Sequence, residues 1–209
     1  MSVCQVVKRR GITEVLHFTT SRGVLGTLHT GALKSRQRLS KEEQLEFILK
    51  LNSSVRKDGA WLDYVNLSIT RINGGFFEIC SEQWHKTEDI WWAVLSFDPE
   101  ILCHDHVHFT TTNNIYPSVR RGEGEAGIEA MFAPKVAGRY GSILERPKGS
   151  PDNVPTCPQA EVLYPKEVPV KYLRRIYVRK TSEEFELGGQ LAVTRHEDIE
   201  TIVNPKVFS

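Results

Sequence analysis

A chain of 209 residues with 40% hydrophobic and 25% charged side chains is long enough to bury one substantial core and falls in the ordinary globular class, so a single domain over residues 1–209 is expected. A net charge of +1 excludes a basic surface over the whole molecule, leaving local patches such as Arg9–Arg10, Arg120–Arg121 and Arg174, Arg175, Arg179 and Lys180, each of which is also what a solvated charged face looks like. No apolar run approaches the ~18 residues of a membrane span, the first ten residues lack the apolar centre of a secretion signal, and the cysteines at 4, 80, 103 and 157 lack zinc-site spacing; the expectation is a cytoplasmic protein with reduced thiols and no membrane partner.

Ile12 to Phe18 predicts a first strand, and Ser21 offers an N-cap for a helix that turns Val24, Leu25 and Leu28 inward and ends at Gly31. Ser40 and Glu43 form a capping-box pattern followed by Leu45, Ile48, Leu51 and Val55 at helical spacing, which predicts a helix over 40–56. Tyr64 to Ile69 alternates in the period of a half-buried strand, and the nearly continuous apolar run Trp91 to Phe97 reads as a central one. Val107 to Thr112 predicts a strand stopped by Asn113-Asn114, and Glu125 to Phe132 a helix. Ala137 to Pro158 is broken by glycines and prolines and is too long for an ordinary connection, which marks it as a functional loop. Ala160 to Tyr164 and Arg175 to Val178 read as late strands and Arg195 to Ile202 as a final short helix. Strands outnumber crossover helices, so the class is α+β with a split, mainly antiparallel sheet and flanking helices.

Two triplets carry chemistry. Gln159-Ala160-Glu161 sits at the start of a short apolar strand, where Gln159 and Glu161 would share a face. A lone carboxylate there suits cleavage of the glycosidic bond of NAD: the ribose becomes oxocarbenium-like, hydrogen bonding to its 2-hydroxyl strengthens in the transition state, and nicotinamide leaves without an acid. His17-Phe18-Thr19 precedes a helix start and supplies a clamp for the nucleotide amide. By spacing alone, the first reads as an exposed pair on a sheet surface and the second as a satisfied histidine at a strand end.

The chain resembles the DarT family of bacterial DNA ADP-ribosyltransferase toxins. The matching residues are Leu16-His17-Phe18-Thr19 with the helix after it, Phe97-Asp98-Pro99, Phe109 to Asn113, and Gln159-Ala160-Glu161-Val162-Leu163 followed by Pro165, in order over most of the chain. The resemblance implies the ADP-ribosyltransferase fold with NAD, the co-substrate, held by His17, Thr19 and the backbone at Phe18, and Glu161 as catalytic carboxylate. It implies an arginine that serves both catalysis and NAD binding after the Tyr64-Val65 strand, for which Arg71 is the nearest candidate. It further implies a loop before Gln159 that presents single-stranded DNA, a cytoplasmic bacterial setting and a macrodomain antitoxin (DarG-like) as partner. Gln159, Tyr140 and Arg139 are the candidates for contacting DNA, with Tyr116 as a further stacking platform and Arg120 and Arg121 as further phosphate contacts, because an unpaired base needs a stacking partner and cations for its phosphates. The family's thymine-modifying members carry a proline and aromatic run and an Arg-Ser-Pro where this chain has Asn66-Leu67-Ser68-Ile69-Thr70-Arg71-Ile72-Asn73. That departure points to guanine as acceptor.

Three rivals remain open. His104, His106 and His108 alternate and would face one side of a strand, a spacing that ligates zinc and would make the protein a metal-dependent hydrolase. An NAD-dependent ADP-ribosyl or phosphate transfer onto RNA or protein keeps the cleft and changes the acceptor. A nucleic-acid-binding module without catalysis would have no need of Glu161 facing an anionic ligand.

Overall fold

The computed structural model describes residues 2–39, 59–84 and 90–209. The helix expected over 40–56 lies outside them. Five helices are described: α1 (Val3–Arg10), α2 (Ser21–Thr30), α3 (Gly74–Glu78, continued by a π turn to Trp84), α4 (Gly124–Ala130) and α5 (Thr181–Thr194). The strands are β1 (Val15–Thr20), β2 (Ala32–Lys34), β3 (Tyr64–Ile69), β4 (Trp92–Phe97), β5 (His108–Thr110), β6 (Arg121–Glu123), β7 (Lys135–Ala137), β8 (Ile143–Glu145), β9 (Val162–Pro165), β10 (Glu167–Pro169), β11 (Leu173–Val178) and β12 (Glu200–Val203).

Eight strands form one sheet in the order β12-β11-β4-β1-β3-β9-β5-β6, while β10–β2 and β7–β8 are separate two-stranded ribbons. All eight-strand pairings are antiparallel except β11–β12. Every residue of β4 is buried, as its unbroken apolar run requires. In β3 the burial alternates, with Val65, Leu67 and Ile69 facing the larger core beneath α1, α2 and α4. The opposite face carries a smaller core of Leu16, Val94, Phe77, Trp92, Tyr177 and Phe208, into which Phe18 packs.

Local chemistry explains where elements begin and end. Thr20, one residue before Ser21, is the N-cap of α2, its hydroxyl accepting from Gly23 N–H at 3.3 Å, and Gly31 closes the helix at φ 74°. The expected helix over 195–202 is instead the end of α5 followed by β12. Glu183 accepts from the Arg179 and Lys180 N–H groups and starts α5 at Thr181; Arg195 ends it in a left-handed conformation; and Glu200–Val203 then pairs in parallel with β11. Gly188-Gly189 interrupts the apolar period of α5, and Thr201-Ile202-Val203 are residues that favour strands.

The cysteines also correct the expectation of four thiols. Cys4 of α1 and Cys103 are joined in a disulfide, with Cα atoms 5.5 Å apart. Cys80 and Cys157 are free and buried, and burial pushes the Cys80 thiol up to about 12, which leaves it inert as a nucleophile. Among the described residues no helix is long and apolar enough to cross a membrane.

Candidate active site

The eight-stranded sheet opens beside His17. On one side β1 pairs with β4 over six residues, Val15 to Thr20. On the other it pairs with β3 only at Val15↔Ile69 and Leu16↔Ser68. Beyond Leu16 the ladder gives way, and the His17 imidazole enters the gap, its Nδ1 lying 2.9 Å from the Asn66 carbonyl oxygen. A carbonyl only accepts, so the Nδ1 proton is fixed by this contact and the neutral ring presents Nε2 as an acceptor. Burial holds the imidazole below the ordinary histidine range, against the opposing pull of the Asn66 carbonyl. His17 is half-buried, and its remaining surface lines an open cavity of about 790 Å³. Thr19, Arg22, Lys34, Thr194 and Arg195 also line that cavity. On β1 the backbone groups of residues 17–20 that point away from β4 have no strand partner in β3, which leaves the edge at Phe18 open to a ligand amide.

Glu161 stands across the sheet from this gap. It precedes β9, and since Leu67 pairs with Val162, continuing the register one residue sets Glu161 opposite Ser68, the partner of Leu16. Two strand spacings, about 10 Å, therefore separate its backbone from that of β1. The residue is tied to β5 by Thr110 N–H donating to its carbonyl at 2.9 Å and by its own N–H donating to the Thr110 hydroxyl at 3.0 Å. Its Oε2 accepts from the backbone N–H of Asn114 at 2.7 Å. A half-buried neutral histidine, an open strand edge and several cations thus meet at one cavity beside the break in the sheet, and the pinned carboxylate of Glu161, outside that lining, stands two strands away. That set fits a dinucleotide with two hydroxyl-bearing sugars and a diphosphate.

A family profile described as "ssDNA thymidine ADP-ribosyltransferase, DarT" matches residues 16–209. The chain belongs to the DarT family. It is a member of a family of NAD-dependent ADP-ribosyltransferases that act on single-stranded DNA. Among solved structures, DarT of Thermus sp. 2.9 in complex with ADP-ribosylated ssDNA superposes with a TM-score of 0.67 at 16% identity, over 95% of this chain and 97% of that one. The same protein in complex with carba-NAD+ gives 0.65 at 13% identity, over 94% and 98%. DarTG of Thermosipho africanus in complex with ADP-ribose gives 0.61 at 13% identity; 94% of this chain is covered and it spans 51% of the other. No curated protein matches in sequence.

In this DarT chain the stretch before Gln159 is more ordered than its composition suggests. It opens with the β7–β8 hairpin, whose tip carries Arg139 and Tyr140. Tyr140 is 90% exposed at φ 56°, and the Arg139 guanidinium lies 4.6 Å from its ring centroid. Arg146 then gathers the following loop by donating to the Val154 and Pro151 carbonyls, each at 2.7 Å. Gln159 lies in a turn rather than on a strand, its N–H donating to Cys157 Sγ at 3.4 Å, so the shared strand face expected of Gln159 and Glu161 is not formed.

Other expectations change as well. Arg71 is exposed and follows Thr70, whose φ is 62°; it leaves β3 at the Val15 end of β1 and is not among the residues lining the cavity. Arg121, exposed on β6, is engaged with Asn114, and Arg9 and Arg10 both pair with Glu129. The three histidines do not share a strand. His106 takes a left-handed φ of 62°, His104 Nδ1 is 2.8 Å from the Tyr164 hydroxyl, and His108 Nε2 pairs with Glu123 at 2.9 Å. Among the described residues no group of three or more histidines, cysteines, aspartates or glutamates is placed to hold a metal ion. Sequence reasoning missed Arg22, Lys34 and Arg195 as cavity cations. Ser21-Arg22 directly after the His-Phe-Thr triplet, at a helix start, was the available signal for the first.

Proposed function

We propose that this DarT chain binds NAD in the notch beside His17 and transfers its ADP-ribose to guanine in single-stranded DNA, with Glu161 as the catalytic carboxylate. NAD supplies the electrophilic ribose carbon and nicotinamide as leaving group. The observation that carries the reading is a half-buried, neutral His17 at a break in the sheet with Glu161 held two strands away.

Each residue but Arg71 then has a defined task. His17 offers Nε2 to a sugar hydroxyl, Thr19 lines the same cavity, and the open backbone edge at Phe18 takes the nicotinamide amide. Arg22, Lys34 and Arg195 supply positive charge for the diphosphate. Glu161 holds the ribose hydroxyl and stabilises the positive charge that develops on the sugar, then accepts the proton released by the attacking base. Arg71, exposed three residues beyond Ser68 and outside the cavity lining, is assigned no task in this reading. The hairpin tip presents Tyr140 as a stacking platform with Arg139 for the adjoining phosphate, and Gln159 reads the base edge.

Guanine is favoured by the residues around Glu161, where Asn66-Leu67-Ser68 replaces the proline and aromatic run of thymine-modifying members. Thymine is the second reading, favoured by the family description. A macrodomain antitoxin that reverses the modification is the expected partner in a bacterial cytoplasm, a reading supported by the Thermosipho africanus DarTG relative. Mass spectrometry of single-stranded oligonucleotides, each lacking one base, decides the acceptor after incubation with protein and NAD. Loss of the ADP-ribose adduct only when guanine is absent is the expected outcome; loss with thymine reverses the assignment.

A further inference from the structure

Glu161 is held by a contact that neither triplet announces. The N–H that meets its Oε2 belongs to Asn114, in the turn leaving β5, and a backbone donor is only as well aimed as the turn that carries it. That turn is closed on itself by Asn113, whose side-chain oxygen accepts from Ile115 N–H at 3.0 Å and whose carbonyl accepts from Tyr116 N–H at 3.1 Å. It is gripped from outside by Arg121 of β6. Arg121 donates through Nε to Asn114 Oδ1 and through Nη2 to the Asn114 carbonyl, both at 2.6 Å.

The guanidinium itself is fixed. Its backbone pairs with Thr110, the residue whose hydroxyl takes the Glu161 N–H, and its Cζ lies 5.4 Å from the Trp61 ring centroid. The planar fork therefore bonds two neutral oxygens of a single residue, an arrangement that sets orientation rather than neutralising charge. A lysine ammonium lacks this planar fork and its two fixed donor directions.

We infer that Arg121 is the positioning residue of the catalytic carboxylate: by fixing Asn114 it aims the N–H that holds Glu161 in the conformation facing the ribose. The inference rests on the reading of Glu161 proposed above. Misplacing a reacting group by about 1 Å costs on the order of 100-fold in rate. Arg121→Ala should therefore lower kcat for nicotinamide release by roughly 30- to 100-fold while KM for NAD stays within about twofold. Arg121→Lys and Asn114→Ala, which keeps the backbone N–H but loses one of the acceptors, should fall between.

The experiment measures kcat and KM for NAD on the full chain for these three variants and Glu161→Gln, with and without millimolar guanidinium chloride, alongside thermal melts. Partial restoration of kcat by guanidinium in Arg121→Ala, with none in Glu161→Gln, is the expected signature. An unchanged kcat in Arg121→Ala overturns the inference, as does a loss that follows the melting temperature and ignores guanidinium. If the alanine variant does not fold, Arg121→Lys decides by its split between kcat and KM. An active Glu161→Gln protein overturns the underlying reading, whatever the Arg121 variants do.

Discussion

Replacing His17 by phenylalanine keeps a ring of similar volume and deletes both of its polar edges. At pH 7.5 the Asn66 carbonyl loses the donor that lies 2.9 Å away, and losing one such hydrogen bond costs about 0.5–1.5 kcal/mol. The pH dependence is the sharper test. Burial holds His17 below its ordinary range in the folded protein, so below about pH 6.5 the unfolded chain binds a proton that the native state resists. Wild-type stability is therefore lost as pH falls from that value toward the folded pKa, by at most about 1.4 kcal/mol per pH unit from this one group. The variant has no such group, and the gap between the two proteins should narrow by that amount as pH falls. Denaturant titrations of both at pH 7.5, 6.5 and 5.5 read the gap directly. A gap that stays constant with pH would refute the placement of a desolvated, neutral imidazole in the notch.

Tyr140→Ala should raise KM for a single-stranded oligonucleotide by about 5- to 100-fold, the worth of one base stacked on an aromatic ring, and an unaltered KM would move the acceptor away from the hairpin tip. Gly127→Ala adds a Cβ that would lie 2.3 Å from the Gly122 carbonyl oxygen, backbone against backbone, between α4 and the strand that carries Arg121. It should destabilise the fold by about 1–3 kcal/mol, lowering Tm by several degrees; a melt identical to wild type would contradict the close approach of β6 and α4.

Sequence pattern exposed the parts of the fold whose surroundings are simple. Tyr64–Ile69 alternates because one face meets the core and the other does not, and Trp92–Phe97 is apolar throughout because both faces are covered. The expected notch residues His17 and Thr19 fall together because they are two apart on one strand. What depends on long-range register was hidden. Nothing local links Arg121 to Glu161; the connection needs the β6–β5–β9 ladder and the turn at Asn114. Residues 195–202 read as helical because Ile199 and Ile202 fall at helical spacing, whereas a parallel pairing with β11 decides their conformation. The thiols of Cys4 and Cys103, 99 residues apart, meet only because α1 packs on the segment after β4. The Ala137–Pro158 stretch looked irregular because its order comes from a three-residue hairpin and from Arg146 bonding carbonyls, and neither leaves a hydrophobic period.

In the proposed reaction Glu161 is the carboxylate that promotes the bond between ADP-ribose and a DNA base. The most direct measurement incubates wild type and Glu161→Gln with NAD and a guanine-containing single-stranded oligonucleotide and follows the adduct by mass spectrometry, with circular dichroism melts of both proteins. The account predicts adduct from the wild type, a fall of at least about 1,000-fold in the variant, and matching melts. A folded Glu161→Gln protein that still builds the adduct at near wild-type rate would contradict it.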